Sequence, residues 1–224
     1  MHQNGPNPPG RQISLHGSGK AGIALLWHGR GPLESYALQP LAEAVATSEI
    51  RVLAADWDSA APDHGKSDLE ASLAFARSNA DELGVDPQRL VLVGWSLGAT
   101  AALGLALQSA EPLYTILIAP GYAERAADAF SGQPLPEAFP PGNGHSIDVL
   151  WGNRDDLVDE TMAVTLTDRL RAAGWAVTAT ELDADHSGVV GMRFDDDLDR
   201  YVVDPLAADA MAVAAAAIVA ATTP

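Results

Sequence analysis

Residues 89–108 read RLVLVGWSLGATAALGLALQ, and this stretch organises the rest of the chain. An apolar Leu/Val run over 90–93 meets Gly94-Trp95-Ser96-Leu97-Gly98 and passes directly into an Ala/Leu-rich helical pattern. The reading is a buried strand, a tight turn with a serine at its apex, and a helix. Gly-x-Ser-x-Gly in that setting is a nucleophile elbow, in which a strained backbone lifts the serine hydroxyl over the end of a sheet. Gly94 and Gly98 are small because strand and helix approach too closely for side chains. An ordinary turn with a glycine-bracketed serine would show the same short pattern. The strand before it and the helix behind it favour the elbow.

Bulk properties narrow the field. At 224 residues, one domain with one substantial core is the expectation. A hydrophobic fraction of 47% with 19% charged residues is that of a globular protein. The net charge of −17 argues against nucleic-acid binding and against docking on anionic membranes, both of which need basic surface. The chain has no cysteine, which removes disulfides, thiolate metal sites and a cysteine nucleophile. The start, MHQNGPNPPGRQ, lacks the apolar core of a signal peptide, so residues 1–11 are expected to be a flexible tail and the location cytoplasmic by default. The apolar run over 210–221 is mostly alanine and reads as a packed terminal helix too short to span a bilayer.

Along the chain, an edge strand is expected over 12–15, then a hairpin turn at Gly17-Ser18-Gly19-Lys20. That turn is no phosphate loop, because the upstream glycine is missing and a strand-like run over 22–27 follows where a helix is needed. A helix is predicted over 36–47 and a buried strand over 50–54. Asp68 is expected to cap an amphipathic helix ending at Leu83, closed by Gly84. Further strands are predicted over 114–119, 147–151 and 176–182, and helices over 159–173 and from about Pro205. Residues 121–145, with four prolines, read as a short irregular lid-like segment with room for a helix near 124–130. Strands alternating with helices indicate a single α/β domain, a mostly parallel sheet covered on both faces. In such sheets the working residues lie at the carboxyl ends of the strands. Ser96, Asp155, His186 and the His28-Gly29 turn all fall there.

A serine hydroxyl needs a base to take its proton, and the imidazole of that base needs a carboxylate to fix its tautomer. On this scaffold the order is serine, acid, histidine. Ser96, Asp155 and His186 offer it, each after a predicted strand. Asp156, Asp159 and Asp183 compete for the acid's place. Asp155 follows its strand by a tight Gly-Asn-Arg turn, which favours it, and Asp159 is better placed to cap the next helix. Leu97 N–H, at the head of the helix, suits one oxyanion donor. Arg30 N–H suits the second, with Gly31 as the fallback, on a loop supported by His28 and Gly29. Trp95, Trp57, Tyr122 and Phe130 are candidate pocket residues, though aromatic side chains are more often core.

With those residues in view, the chain resembles the α/β-hydrolase superfamily, and more narrowly small carboxylesterases of the hormone-sensitive-lipase-like and feruloyl or acetyl esterase-like kinds. Pro62-Asp63-His64 is similar to the family's Pro-Glu-His loop. Asp81-Glu82-Leu83-Gly84-Val85-Asp86-Pro87 matches its helix ending, and Asp155-Asp156-Leu157-Val158-Asp159-Glu160 is similar to Asp-Pro-Leu-x-Asp-Glu, whose first aspartate is the catalytic acid. Gly-Trp-Ser-Leu-Gly departs from Gly-Asp-Ser-Ala-Gly, and His28-Gly29-Arg30-Gly31 from His-Gly-Gly-Gly. Both departures bring the chain nearer to ordinary carboxylesterases and dienelactone-hydrolase-like proteins. The resemblance implies a serine hydrolase that cleaves carboxylic esters of small or exposed acyl groups through an acyl-enzyme, with little or no cap. It implies neither a metal nor an organic cofactor, and a small-molecule ester as the partner. Thioesterase, lactonase or acyltransferase chemistry would use the same residues. A catalytically silent binding protein would keep them without turnover.

Overall fold

The structure is a computed structural model that describes residues 12–47, 49–86, 89–109, 113–121 and 128–222. Its centre is strand β4 (Leu90–Trp95), the middle member of a seven-stranded sheet. Around it stand β1 (Ile13–His16), β2 (Gly22–Trp27), β3 (Ile50–Ala55), β5 (Tyr114–Ile118), β6 (Ser146–Gly152) and β7 (Ala176–Leu182), in the order β1-β3-β2-β4-β5-β6-β7. All neighbours run parallel except β1, which lies antiparallel on β3 at the edge. β2 and β4 are buried at every position, which is why they read as unbroken apolar runs rather than alternating ones.

Successive side chains on those strands enter opposite cores. Ile23, Leu25 and Trp27 join a core with Leu69 and Leu73 of α2 (Lys66–Leu83), Leu103 of α3 (Leu97–Gln108) and Leu166 and Leu170 of α4 (Glu160–Ala172). Ala24 and Leu26 join the other, with Leu41 and Val45 of α1 (Gln39–Ala46) and Ala214 and Ile218 of α5 (Ala208–Thr222). α3 is apolar all round because it is covered on nearly every side.

Three expectations change, and one stretch with no predicted element gains one. Gly17-Ser18-Gly19-Lys20 is not a hairpin turn, because β1 pairs with β3 and not with β2. Its glycines are there because a Cβ on Gly17 would stand 2.6 Å from the Ile50 carbonyl oxygen, and one on Gly19 would overlap the Glu49 backbone. Asp68 does not cap α2. The cap position is Gly65, and the Asp63 carboxylate accepts from the Gly65 and Ser67 amides at 3.1 and 3.0 Å; the Ser67 hydroxyl first, then the Ser67 and Gly65 amides, hold its pKa below the usual aspartate value. The acidic stretch after His186 forms a ribbon, β8 (Met192–Asp195) paired antiparallel with β9 (Arg200–Val203). The terminal helical segment, expected from about Pro205, covers Pro205–Thr222, and its 18 residues are long and apolar enough by length and composition to cross a membrane, where the reading of 210–221 had the run too short. Here Ala210, Ala214, Ala215 and Ile218 are buried in the second core.

Far from the serine, Asp148 on β6 is buried and accepts the Tyr114 hydroxyl at 3.1 Å. Burial raises the Asp148 pKa above the ordinary 3.8, against the hydrogen bonds from Tyr114 and Thr178. Burial and the carboxylate together push Tyr114 up to about 12. The folded state therefore holds the Asp148 proton more tightly than the unfolded chain does, and stability falls as pH rises through the window between the two values. Asp148→Asn should melt at a higher temperature than the parent at pH 7, with the gain gone below the ordinary aspartate value. Melting curves at pH 7 and pH 3.5 check this, and an equal loss at both pH values would sink it.

Candidate active site

Ser96 sits between β4 and α3 with φ 56° and ψ −120°, a backbone conformation that non-glycine residues rarely adopt. The surroundings enforce it. A Cβ on Gly94 would stand 2.3 Å from the Gly98 carbonyl oxygen, and one on Gly98 would stand 2.3 Å from the carbonyl oxygens of Trp27 and His28. The Ser96 amide is tied to the Ile118 carbonyl of β5 at 2.9 Å. The result is a serine held at the tip of its turn, with the first amides of α3 directly behind it.

His186 lies on the turn after β7, and its Nε2 is 2.9 Å from Ser96 Oγ. Its Nδ1 is 2.7 Å from Asp155 Oδ2. Asp155 stands on the turn after β6, its side chain wholly buried, and its Oδ1 accepts the Leu157 and Val158 amides at 2.9 and 2.8 Å. With Nδ1–H donated to that carboxylate, Nε2 offers its lone pair to the serine hydroxyl. Asp156 is exposed, and Asp159 caps α4 by accepting the Met162 amide at 2.9 Å. Asp183 is paired with Arg154 at 3.1 Å. The geometry thus brings Asp155 to His186 and leaves the other three aspartates elsewhere.

On the far side of Ser96 runs the loop 28–31. His28 is fully buried, and its Nε2 accepts the Trp57 amide at 3.1 Å, so its proton is on Nδ1 and goes to the Gly29 carbonyl at 3.0 Å. Across a trans peptide the N–H points away from the C=O. Turning the Gly29 carbonyl onto His28 therefore turns the Arg30 N–H the opposite way. Gly29 itself is close-packed on the elbow, since a Cβ there would stand 3.2 Å from the Ser96 Cβ. The Gly31 amide donates to Ser59 Oγ at 3.2 Å, which occupies the fallback donor. The Arg30 amide has no backbone partner among the described residues.

The aromatic candidates divide. Trp57 is buried and donates its indole N–H to the His28 carbonyl at 3.0 Å, so it braces the loop. Phe130 stacks on Trp27 in the first core. Trp95 is 2% exposed and belongs to the second core, which corrects its reading as a pocket wall. Tyr122, and most of the helix expected near 124–130, lie outside the described residues; 128–145 holds turns and loops but no helix. Two features escaped the sequence reading. Asp185 builds the His186 turn by accepting the Ser187 and Gly188 amides at 3.2 and 2.7 Å, a role legible in the Asp-x-Ser-Gly spacing. Tyr201 of the ribbon packs edge-on against Trp95, with ring centroids 5.4 Å apart.

The fold has many counterparts. Esterase Est22 aligns with a TM-score of 0.73 at 15% identity, over 99% of this chain and 79% of that one. A bacterial heroin esterase aligns with 0.73 at 17% identity, over 100% and 84%. MGS-M1, an alpha/beta hydrolase from a Medee basin deep-sea metagenome library, aligns with 0.68 at 15% identity over 98% of both chains. No curated protein matches the sequence. The profile of the Alpha/beta hydrolase family matches residues 15–223, nearly the whole chain. By that match, over a sheet whose central strand delivers Ser96 to His186, the chain belongs to the alpha/beta hydrolase family.

Proposed function

We propose that the protein hydrolyses carboxylic esters through an acyl-serine intermediate, and that Ser96, His186 and Asp155 carry the reaction. The observation behind this reading is the continuous hydrogen-bonded line from Ser96 Oγ through His186 to the buried Asp155 carboxylate. Its nucleophile–base distance lies in the range proton transfer needs, about 2.6–3.2 Å.

In the first half-reaction Ser96 Oγ attacks the carbonyl carbon while its proton passes to His186 Nε2. Asp155, accepting from Nδ1–H, stabilises the imidazolium and keeps the ring in place. The carbonyl oxygen gathers negative charge, and the Leu97 and Arg30 amides are the donors that receive it, preorganised by the helix start and by the His28–Gly29 bond. As the tetrahedral species collapses, His186 returns its proton to the departing alkoxide. The alcohol leaves and the acyl group stays on Ser96. Water then repeats the sequence, giving up a proton to His186, and the carboxylic acid is released.

Esters are favoured within the superfamily's range because the structural relatives include proteins named as esterases. Among the described residues no helix or strand intervenes between β5 and β6, and a site open in that way supports small or exposed acyl groups. Incubation with a fluorophosphonate probe should modify Ser96 alone. p-Nitrophenyl acetate should give a burst of p-nitrophenol equal to the enzyme concentration or a steady turnover abolished by the probe. Absence of both labelling and turnover would favour a silent binding protein. Turnover confined to acyl thioesters or lactones in a substrate panel would move the assignment to that chemistry.

A further inference from the structure

The base turn is joined to the elbow by a second contact besides the one between reacting groups. The Trp95 indole N–H donates to the His186 backbone carbonyl at 2.9 Å, in a buried bond between residues 91 apart in sequence. The same ring lies 5.6 Å, centroid to centroid, from the His186 imidazole, and its edge stands 3.5 Å from where a Cβ on Gly29 would be. One side chain thus touches the residue that supplies the base and the loop that supplies the second amide donor. It is attached to the backbone immediately before the nucleophile.

The other hydrogen bonds of the base turn lie largely within it or run to the neighbouring acid turn. Asp185 accepts the Ser187 and Gly188 amides, Ser187 accepts those of Val190 and Met192, and the Arg154 amide reaches the Ala184 carbonyl at 3.0 Å. Those bonds make the turn a unit without setting its distance from β4, which β5 and β6 separate from β7. Val189 and Val190 bury beneath it, but apolar contacts are non-directional and tolerate sliding. A directional bond from the elbow sets the spacing.

We propose that Trp95 is a positioning residue for His186, its indole N–H fixing the base at hydrogen-bond range of Ser96. The proposal rests on the ester-hydrolase reading and adds a function for the residue between Gly94 and Ser96. Catalytic groups need placement within about 0.5 Å of the productive geometry. A turn released from the indole loses that, while substrate contacts remain.

Trp95→Phe keeps an aromatic ring in the core and deletes the donor. Its kcat per probe-titrated active site should fall about tenfold or more, with KM within about twofold of the parent. The proton NMR signal of the His186 Nδ1–H, displaced far downfield by the bond to Asp155, should broaden or shift. Trp175→Phe is the control. It deletes an indole bond of equal length, to the Pro140 carbonyl at 2.9 Å, and should lose stability without loss of kcat. The proposal is overturned if Trp95→Phe and Trp175→Phe both retain parental kcat, or if the Nδ1–H signal is the same in Trp95→Phe and parent. A parent that the fluorophosphonate leaves unlabelled defeats the hydrolase reading instead, and the NMR comparison still decides whether Trp95 holds the imidazole.

Discussion

Ser96→Ala should lower kcat on an activated ester by about a millionfold, the scale on which a serine nucleophile's removal is felt when the rest of its machinery survives. The loss should be confined to chemistry. Ser96 Oγ has its hydrogen bond to His186 and makes no contribution to the two cores, while the amide that ties the turn to Ile118 remains in the variant. Melting temperature should therefore stay close to the parent's, and substrate should still bind. Whatever rate survives would come from the amide donors and from orientation of the substrate. Stopped-flow assay with p-nitrophenyl acetate, together with intact-mass detection of the acyl adduct, measures both sides. An adduct that persists in the variant, or a rate above about a tenth of the parent's, would place the nucleophile elsewhere.

The second large effect belongs to Asp155→Asn, expected to lower kcat about ten-thousandfold. Asparagine fits the same space, and its amide oxygen can go on accepting from Leu157 and Val158. Its NH2 group then faces His186 Nδ1 and donates where the carboxylate accepted. The imidazole must shift its proton to Nε2 and presents Ser96 with a donor instead of a lone pair. Asp156→Asn and Asp159→Asn should each keep kcat within about twofold, since neither carboxylate reaches His186 in this arrangement. Asp159→Ala should instead cost about 1 kcal/mol of stability, as the head of α4 loses its cap. An active Asp155→Asn beside an inactive Asp156→Asn or Asp159→Asn would reassign the acid.

Much of the fold was legible because the parallel strands carry an unusually plain signal. β2 and β4 are covered on both faces, so each shows as a solid apolar block bounded by turn residues. The order of Ser96, Asp155 and His186 was equally visible, since strand ends are easy to locate and each residue follows one. What escaped depended on partners distant in sequence. Which strand β1 joins is decided by the Gly17 and Gly19 approach to residues 49–50, and a local window suggests the nearest strand instead. The ribbon was hidden by its own turn. Residues 195–199, DDDLD, dominate the composition there and mask the short strand-forming runs on either side, Met-Arg-Phe and Tyr-Val-Val. Trp95 has the composition of a pocket wall and the environment of a core residue. Only the three-dimensional arrangement gives its N–H a carbonyl to meet.

The edge position of β7 has a kinetic consequence. The elbow forms from contacts close in sequence, a strand and the helix that follows it, whereas His186 meets Ser96 across 90 residues. Contacts of that span close late and slowly, because the loop entropy must be met before they repay it. β7 joins the sheet through β6 alone among the seven strands, so on the proposed mechanism Ser96 acquires its base when that edge strand docks. During refolding, regained reactivity at Ser96 therefore serves as a clock for completion of the sheet's far edge, and lags the collapse of its centre.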